Sequence, residues 1–315
     1  MTPATVGRRR RLLRLAGPAG VVSGIAIDHR DSLRVYLELQ GLTGLSVAEL
    51  RALKLALVRA LAPVASALML DAELGQAAFE TGAVPASIGL IMPLEAQGYE
   101  SGADARVTTL LDDFSPATAL QYGADACKLL LPYRVDAEAS AAAQDALVVS
   151  TAAICHGLGL PLVIEPVVYR QSTESSSAFA DAYQGLLLRA VARLQPLGAD
   201  VLKVPFPVLD LATAGEAAAT DACRELAAAC RDTPWVLLGA GVAIDVFVDQ
   251  IRLAGQAGAS GFLAGRGIWG STLSRDPEEV ERLARAVALP AFERCRLMAE
   301  QFARPLHLPW PMIRA

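Results

Sequence analysis

Eight short apolar segments, most of them followed by a stretch of helical character, constrain the fold of this chain more than any other feature of its sequence. The segments are continuously apolar, which is typical of strands that are buried on both faces of a parallel sheet. Eight strand–helix units in 315 residues match the size of a (β/α)8 barrel. In chain order, the predicted strands are 21–27, 66–70, 87–92, 126–131, 162–164, 200–204, 235–238 and 261–263.

A doubly wound open sheet is the competing architecture for alternating strands and helices. Such a sheet would carry a glycine-rich fingerprint after its first strand, and the sequence Ile27-Asp28-His29-Arg30 has none. No low-complexity linker divides the chain. We therefore predict an α/β fold, a single TIM-barrel domain over residues 1–315, with extra helices at 8–16, 277–288 and 290–303. The other predicted helices are 46–62, 137–158, 176–195, 216–231 and 244–257.

Charge and hydropathy exclude several classes of function. The net charge of −5 provides no basic footprint for nucleic acid, and no apolar run approaches the ~20 residues that a membrane span needs. Arginines 8–11 are followed by no apolar core of a signal peptide, so we interpret them as a solvated helix face. The five cysteines show no CxxC spacing, and we expect reduced thiols and a cytoplasmic protein.

Lysine is rare in this chain, and its rarity points to a nucleophile. Of the 28 lysines and arginines only three are lysines, at Lys54, Lys128 and Lys203, which leaves 28 − 3 = 25 arginines. Arginine stays protonated and cannot form an imine, whereas a desolvated lysine can lose its proton and attack a carbonyl. Biased codon usage is the alternative explanation. Lys203, near the end of the sixth strand, is the foremost candidate.

The strand ends of a barrel converge on one pocket, and here they are unusually polar. Lys128 and Lys203 lie on strands four and six, with Glu165 on strand five between them. A charge inside a barrel is costly unless it is paired, so these groups either form a structural ion-pair layer or tune Lys203 for attack on a ketone. In the second case Glu165 could move protons during carbon–carbon cleavage. The other polar strand ends are Asp28, Asp71 and Glu95.

Glycine turns after the last two strands predict a phosphate site. Backbone N–H groups at this place in a barrel commonly hold phosphate, and Arg266 could bind it bidentately. His29 is a candidate proton carrier. No histidine has a second ligand at metal-binding spacing, so we expect neither a catalytic metal nor a cofactor. The glycine turns are Gly239-Ala240-Gly241 and Gly265-Arg266.

Several stretches resemble the class I aldolase family of tagatose-1,6-bisphosphate aldolase and sulfofructosephosphate aldolase. The similarity runs over about residues 20–270. The fifth-strand wording, Ile-Glu-Pro-Val-Val, is nearer to the sulfofructosephosphate branch. The stretches that carry the resemblance are 26–30 (Ala-Ile-Asp-His-Arg), 60–66 (Ala-Leu-Ala-Pro-Val-Ala-Ser), 128–131 (Lys-Leu-Leu-Leu), 164–168 (Ile-Glu-Pro-Val-Val), 200–204 (Asp-Val-Leu-Lys-Val) and 258–266 (Gly-Ala-Ser-Gly-Phe-Leu-Ala-Gly-Arg).

The resemblance implies a role for individual residues. It implies that Lys203 forms the Schiff base, that Glu165 is the acid/base, and that Asp28 and Lys128 line the site. Gly265 and Arg266 would bind an anionic end of the substrate, and Lys54 also matches a family lysine. The chain departs from the family at two substrate-facing places. It has His29 before Arg30 where the family usually has glutamine, and it lacks the usual serine in the 239–241 turn.

We therefore predict a metal-independent aldolase that cleaves a phosphorylated ketose to dihydroxyacetone phosphate and an aldehyde. Two alternatives remain at this point: a non-catalytic sensor that binds sugar phosphate, and another Schiff-base lyase such as a deoxyribose-phosphate-type aldolase. The sequence leaves open whether the distal group is phosphate, sulfonate or neutral. The Ala- and Leu-rich C-terminal helices could pack between subunits of a homo-oligomer.

Overall fold

The computed structural model describes residues 2–96 and 104–306, and it forms a closed barrel of parallel strands. The strands pair in the order β1 to β8, and β8 pairs back with β1, as predicted for a (β/α)8 barrel. The predicted single domain also includes residues 1, 97–103 and 307–315, which lie outside the described residues. The strands are β1 (Val22–Ile27), β2 (Ala67–Leu70), β3 (Gly89–Pro93), β4 (Ala126–Pro132), β5 (Leu162–Val167), β6 (Val201–Val204), β7 (Trp235–Gly239) and β8 (Gly261–Ala264).

Helices cover the outside of the barrel, and their bounds agree with the predicted helices to within a few residues. Five shorter helices were not predicted: α2, α4, α5, α8 and α11. The helices are α1 (Pro3–Arg14), α2 (Asp31–Leu39), α3 (Val47–Leu61), α4 (Ala72–Glu80), α5 (Pro116–Gln121), α6 (Glu138–Gly157), α7 (Ser176–Leu194), α8 (Leu211–Ala214), α9 (Glu216–Cys230), α10 (Ile244–Gln256), α11 (Arg266–Trp269), α12 (Pro277–Leu283) and α13 (Leu289–Phe302).

Two apolar clusters hold these layers together. The larger one fills the space between the strands and the surrounding helices. The smaller one lies inside the barrel, and Leu12 and Leu15 at the end of α1 pack onto it beside Val22 and Ala126, the first residues of β1 and β4. The helix α1 therefore closes the N-terminal end of the barrel. This leaves the opposite end, where the strands finish, open for a site.

One glycine is required where the barrel closes between β8 and β1. Gly261 has a φ of +123°, and a Cβ built there would lie 1.9 Å from the carbonyl oxygen of Val22. Any side chain at this position would collide with the backbone of β1 and would also strain the backbone of residue 261 itself. Gly261 thus allows the pairing that closes the barrel.

The extra helices at the C-terminus also differ in detail from the prediction. The segment predicted as one helix over 277–288 is α12 followed by a π-helical turn at Ala284–Ala288. The turn continues into α13. This helix has a proline in its first turn, where the backbone N–H that proline lacks is not needed for a hydrogen bond within the helix. Along the described ranges, no helix is both long and apolar enough to cross a bilayer.

Candidate active site

Three charged side chains from adjacent strands meet inside the C-terminal end of the barrel. One carboxylate oxygen of Glu165, Oε2, lies 3.0 Å from Nζ of Lys203 and 3.2 Å from Nζ of Lys128. All three side chains are buried. The parallel pairing explains the juxtaposition, because Lys128 lies beside Val163 on β5 and Glu165 beside Leu130 on β4. The strand β5 continues to Val167, three residues beyond its predicted end, and Glu165 lies on it as predicted.

Lys128 is the centre of a cluster of carboxylates. Its Nζ lies 2.6 Å from Oε1 of Glu95, 3.1 Å from Oδ2 of Asp28 and 3.2 Å from Oε2 of Glu165. Burial lowers the pKa of Lys128, but the three carboxylates outweigh burial and raise it well above its usual value. Lys128 is therefore a fixed cation at neutral pH.

The carboxylates around Lys128 differ in their electrostatics. Burial raises the pKa of Glu95, and the attraction of Lys128 only partly offsets this. Burial also opposes ionisation of Asp28, but Lys128, with smaller contributions from His29 and Lys203, lowers its pKa below the usual range. Asp28 is thus a permanent anion, whereas Glu95 holds a proton more readily than an exposed glutamate does.

Lys203 is held less tightly than Lys128. Among the described residues its ammonium has one ion-pair partner, Glu165, against three for Lys128. Its other polar neighbour is the thioether sulfur of Met69, at 4.0 Å from Nζ. The geometry therefore distinguishes Lys128, whose ammonium lies among three carboxylates, from Lys203, whose ammonium contacts one.

His29 lies beside this network as a neutral imidazole. Burial lowers its pKa to about 3, with Asp28 opposing the shift and Arg266, Lys54 and Lys203 adding to it. Its Nδ1 lies 3.6 Å from Oδ1 of Asp28 and has no hydrogen-bond partner within the described part of the chain. The ring stands edge-on to Trp269, with ring centroids 5.4 Å apart. A neutral His29 can accept a proton or a hydrogen bond from a substrate.

We expect replacement of His29 with glutamine to reduce the acid sensitivity of the fold. The imidazole titrates near 6.5 when unfolded but near 3 when folded, so between these values only the unfolded state binds the proton. The free energy of unfolding of the natural protein should then fall as the pH falls from 6.5 towards 3. His29 alone should contribute a loss of about 1.4 kcal/mol per pH unit. Urea unfolding of both proteins from pH 7 to pH 4 measures the difference. If the free energy of unfolding changed with pH in the same way for both proteins, His29 would be taking up its proton as readily in the folded protein as in the unfolded one.

Lys54, predicted to bind substrate, forms a second buried ion pair. It lies on α3 with its side chain 1% exposed, and its ammonium contacts Oδ1 of Asp71, which follows β2. Asp71 also accepts a hydrogen bond from the backbone N–H of Leu74 at 2.7 Å and so caps α4. Burial lowers the pKa of Lys54, and Asp71 opposes the shift. The pair with Asp71 is the contact that the structure gives Lys54, and the attraction of Asp28 also acts to raise its pKa.

We expect replacement of Lys54 with methionine to lower the free energy of unfolding by about 3–5 kcal/mol, because it leaves the carboxylate of Asp71 buried without its partner. Adding Asp71→Asn removes the uncompensated charge and keeps an oxygen to cap α4. The double variant should therefore be more stable than the single variant. Urea unfolding at pH 7 measures both, and equal stabilities would show that the ion pair does not couple the two residues.

The residues predicted to bind phosphate lie at the ends of β7, β8 and β1. Arg266, the first residue of α11, is half-buried; its Nη1 donates to the carbonyl of Ser32 at 3.4 Å, and its guanidinium lies 5.6 Å from the ring centroid of Tyr36. Ala240 and Gly241 are exposed and Gly239 is half-buried. Gly265 is buried against His29, where a Cβ would lie 2.8 Å from Cε1 of the ring. Arg30 is buried and donates to the backbone carbonyl of Glu95.

Two residues of the site were not assigned a role by the sequence. Glu95 appeared only as a polar strand end, although it makes the shortest of the three contacts with Lys128. Its position two residues after β3 was the available signal. Tyr36 lies on α2, a helix that we did not predict, and no local pattern connects it to Arg266, 230 residues later in the sequence.

The polar segment 171–177, which follows β5, has several anchors. Glu174 forms an ion pair with Arg134, at 2.6 Å between Oε2 and Nη1, and Ser172 donates to Asp104. Arg134 comes shortly after β4, so the loop is joined to the same end of the barrel as Lys128.

Comparison with known proteins identifies the family. A family model described as "DeoC/LacD family aldolase" matches residues 23–271. Tagatose 1,6-diphosphate aldolase 2 of Streptococcus mutans serotype c is 31% identical over 290 residues, which are 87% of this chain and 87% of that protein. Tagatose 1,6-diphosphate aldolase 1 of Enterococcus faecalis is 30% identical over 83% of this chain and 84% of its own.

Solved structures share the fold at lower identity. A fructose-bisphosphate aldolase from Slackia heliotrinireducens superposes with a TM-score of 0.66 at 17% identity, covering 99% of this chain and 95% of the other. An archaeal fructose-1,6-bisphosphate aldolase, whose catalytic lysine is covalently bound to the carbinolamine intermediate of its substrate, gives a TM-score of 0.59 at 16% identity, over 90% and 99% of the two chains. The family match over residues 23–271 and the identities of 30% and 31% over most of the chain show that this protein belongs to the DeoC/LacD family of aldolases.

Proposed function

We propose that this protein is a metal-independent class I aldolase that cleaves a phosphorylated ketose, with Lys203 as the Schiff-base residue. The observation that carries the proposal is the placement of one oxygen of Glu165 between two lysines, 3.0 Å from Lys203 and 3.2 Å from Lys128. One lysine is free to react, the other is a fixed cation, and the carboxylate between them can move protons.

The reaction begins when the neutral amine of Lys203 attacks the C2 carbonyl of the ketose. Glu165 takes the proton that the ammonium gives up. After the attack, a second N–H proton of Lys203 passes to the carbonyl oxygen to form the carbinolamine. The proton held by Glu165 then converts the carbinolamine hydroxyl to water, which leaves and yields an iminium. The iminium is the electron sink for cleavage. Glu165 next removes the proton of the C4 hydroxyl, the C3–C4 bond breaks, and its electron pair moves into the C2–C3 bond of an enamine while the aldehyde departs.

The second half of the reaction restores the enzyme. The enamine carbon C3 takes up a proton, and water hydrolyses the resulting iminium to release dihydroxyacetone phosphate and the free amine of Lys203. Lys128 stays protonated among its carboxylates throughout. Its charge keeps Asp28 ionised and fixes the position of the Glu165 carboxylate. The reaction itself requires no metal ion.

The substrate proposed is a ketose that carries phosphate at C1. The relatives at 30% and 31% identity are named for tagatose 1,6-bisphosphate, and fructose 1,6-bisphosphate and sulfofructose 1-phosphate types are the other members of the class that we propose. We propose that Arg266, whose guanidinium lies 5.6 Å from the ring centroid of Tyr36, binds the phosphate together with backbone N–H groups of Gly265 and of the 239–241 turn. A panel of these sugar phosphates, scored by release of dihydroxyacetone phosphate, distinguishes among them.

The experiment that tests the chemistry is borohydride trapping with dihydroxyacetone phosphate. We expect reduction of the imine to add mass to the peptide that contains Lys203 and not to the peptide that contains Lys128. Activity should survive dialysis against EDTA. An unmodified Lys203 in an enzyme that EDTA inactivates would refute the proposal.

We also propose that the enzyme works in a reducing compartment, the cytoplasm. All five cysteines are buried as free thiols. Burial raises the pKa of Cys223, Cys230 and Cys295 to about 12, so these thiols resist oxidation and need no disulfide partner.

A further inference from the structure

The closed end of the barrel, opposite the candidate active site, carries a groove of about 360 Å³. It lies between α1 and the segment that joins α5 to β4. We call it the α1 groove. Its lining includes Gly7, Arg10, Arg11, Arg14, Gly123 and Asp125.

The charge of the α1 groove is strongly positive. Its lining holds three arginines and one carboxylate, which gives 3 − 1 = +2 in a chain whose net charge is −5. The carboxylate is fully engaged. Oδ1 of Asp125 lies 2.7 Å from Nε of Arg14, and Oδ2 accepts the backbone N–H of Leu90 at 3.1 Å. Asp125 therefore holds Arg14 at the groove, and both of its carboxylate oxygens have partners.

Two of the three cations also attach α1 to the barrel. Arg11 donates to the carbonyl of Gly159, and Arg14 pairs with Asp125 and donates to the carbonyl of Ala86 at 3.0 Å. The third cation, Arg10, makes no such contact. Arg10 is exposed and has no hydrogen-bond or ion-pair partner in the part of the chain that the structure describes. It lines the groove without a structural role.

The shape of the α1 groove leaves the guanidinium groups accessible. Nη1 of Arg11 donates to the carbonyl of Gly159 at 3.1 Å, which fixes the side chain. Gly7 makes room for this position, because a Cβ there would lie 3.2 Å from the same nitrogen. On the other wall, a Cβ added to Gly123 would meet nothing within 4 Å. The wall at Gly123 therefore has no side chain, and the opposite wall carries arginines whose positions the fold helps to set.

We propose that the α1 groove binds a phosphate dianion, either inorganic phosphate or the phosphoryl group of a small metabolite. The net charge of +2 matches the charge of nearly −2 that a phosphomonoester carries at neutral pH. Guanidinium groups bind phosphate oxygens in a two-pronged geometry. A volume of about 360 Å³ lies within the range of small-molecule pockets, which favours a metabolite-sized anion over a long polyanion.

Phosphate titrations followed by calorimetry and ³¹P NMR test the proposal. The starting protein is the Arg266→Ser variant, whose active-site phosphate contact is removed. Inorganic phosphate should still bind to it, and adding Arg10→Ser should weaken that binding about tenfold, the effect of losing one charge-assisted contact. Adding Arg224→Ser, which removes an exposed arginine from α9, should change nothing. Arg10→Ser alone should leave the fold and the aldolase activity unchanged, because Arg10 is exposed and unpaired.

A comparison of two ligands separates the two sources of phosphate. If glycerol 3-phosphate binds at least as tightly as inorganic phosphate, the groove is a metabolite site. If inorganic phosphate binds and glycerol 3-phosphate does not, the groove is a site for the free anion. The proposal fails if Arg266→Ser binds no phosphate, or if Arg10→Ser leaves its binding unchanged. It also fails if only long-chain polyphosphate binds. None of these results depends on the chemistry of Lys203.

Discussion

Replacing Lys203 with methionine should lower kcat by about five to six orders of magnitude, because the covalent route through the imine is lost entirely. Methionine has a similar length and an apolar character that suits the 3%-exposed position. Glu165 keeps Lys128 as its partner, so its carboxylate is not left buried without a cation. We therefore expect a folded protein that still binds sugar phosphate. Stopped assays at high enzyme concentration measure the residual rate.

Lys203→Arg is the matched control for this experiment. It preserves a positive charge beside Glu165 but cannot form an imine at any accessible pH. If Lys203 acts as a nucleophile, the arginine variant should be as inactive as the methionine variant. If Lys203 served only to stabilise a negative charge, the arginine variant would keep a substantial share of the activity. That result, or a loss of only tenfold in the methionine variant, would contradict Schiff-base catalysis.

The barrel could be predicted from the sequence because its strands are buried on both faces. Eight continuously apolar runs leave few folds that can cover them, and the closed order β1 to β8 is the one predicted. The helix α2 was missed because it follows directly on the polar segment after β1 and spans only nine residues, Asp31–Leu39. A helix of this length makes too few turns for its amphipathic pattern to be distinguished from a loop by periodicity alone.

The rarity of lysine proved to be a guide to burial. The three lysines are 1%, 2% and 3% exposed, at Lys54, Lys128 and Lys203. Arginine has taken the exposed cation positions, and lysine remains where a compact ammonium must fit among carboxylates. Burial alone does not separate a structural pair from a nucleophile, since Lys54 is as buried as Lys203. The separation depends on the number of carboxylates at each ammonium, which only the folded chain determines.

The role of Glu95 could not be predicted for the same reason. Its carboxylate and that of Asp28 reach Lys128 from two other strands, 33 and 100 residues away along the chain. No local pattern encodes such a meeting. The register of eight strands has to be known before the three carboxylates can be assigned to one lysine.

Replacing Glu165 with glutamine should lower kcat by about two to four orders of magnitude, the usual contribution of a general acid or base. Glutamine keeps the shape and can still accept a hydrogen bond from Lys203 or Lys128, but it cannot take a proton from the ammonium or from the C4 hydroxyl. Imine formation and carbon–carbon cleavage should therefore both slow, while KM changes little. Single-turnover measurements with fructose or tagatose 1,6-bisphosphate resolve the two steps.

Glu95→Gln is the control that separates proton transfer from electrostatic support. Glu95 contacts Lys128 at 2.6 Å and the backbone N–H of Leu130 at 3.3 Å, and neither contact reaches Lys203. Lys128 would still have Asp28 and Glu165 to keep it protonated, so we expect a loss smaller than that of Glu165→Gln by tenfold or more. Equal losses in the two variants would mean that Glu165 acts only by holding Lys128, and that another group carries the protons. The distances of 3.0 Å and 3.2 Å from one oxygen of Glu165 to both lysines favour the first outcome, because no other carboxylate in the described chain touches both amines.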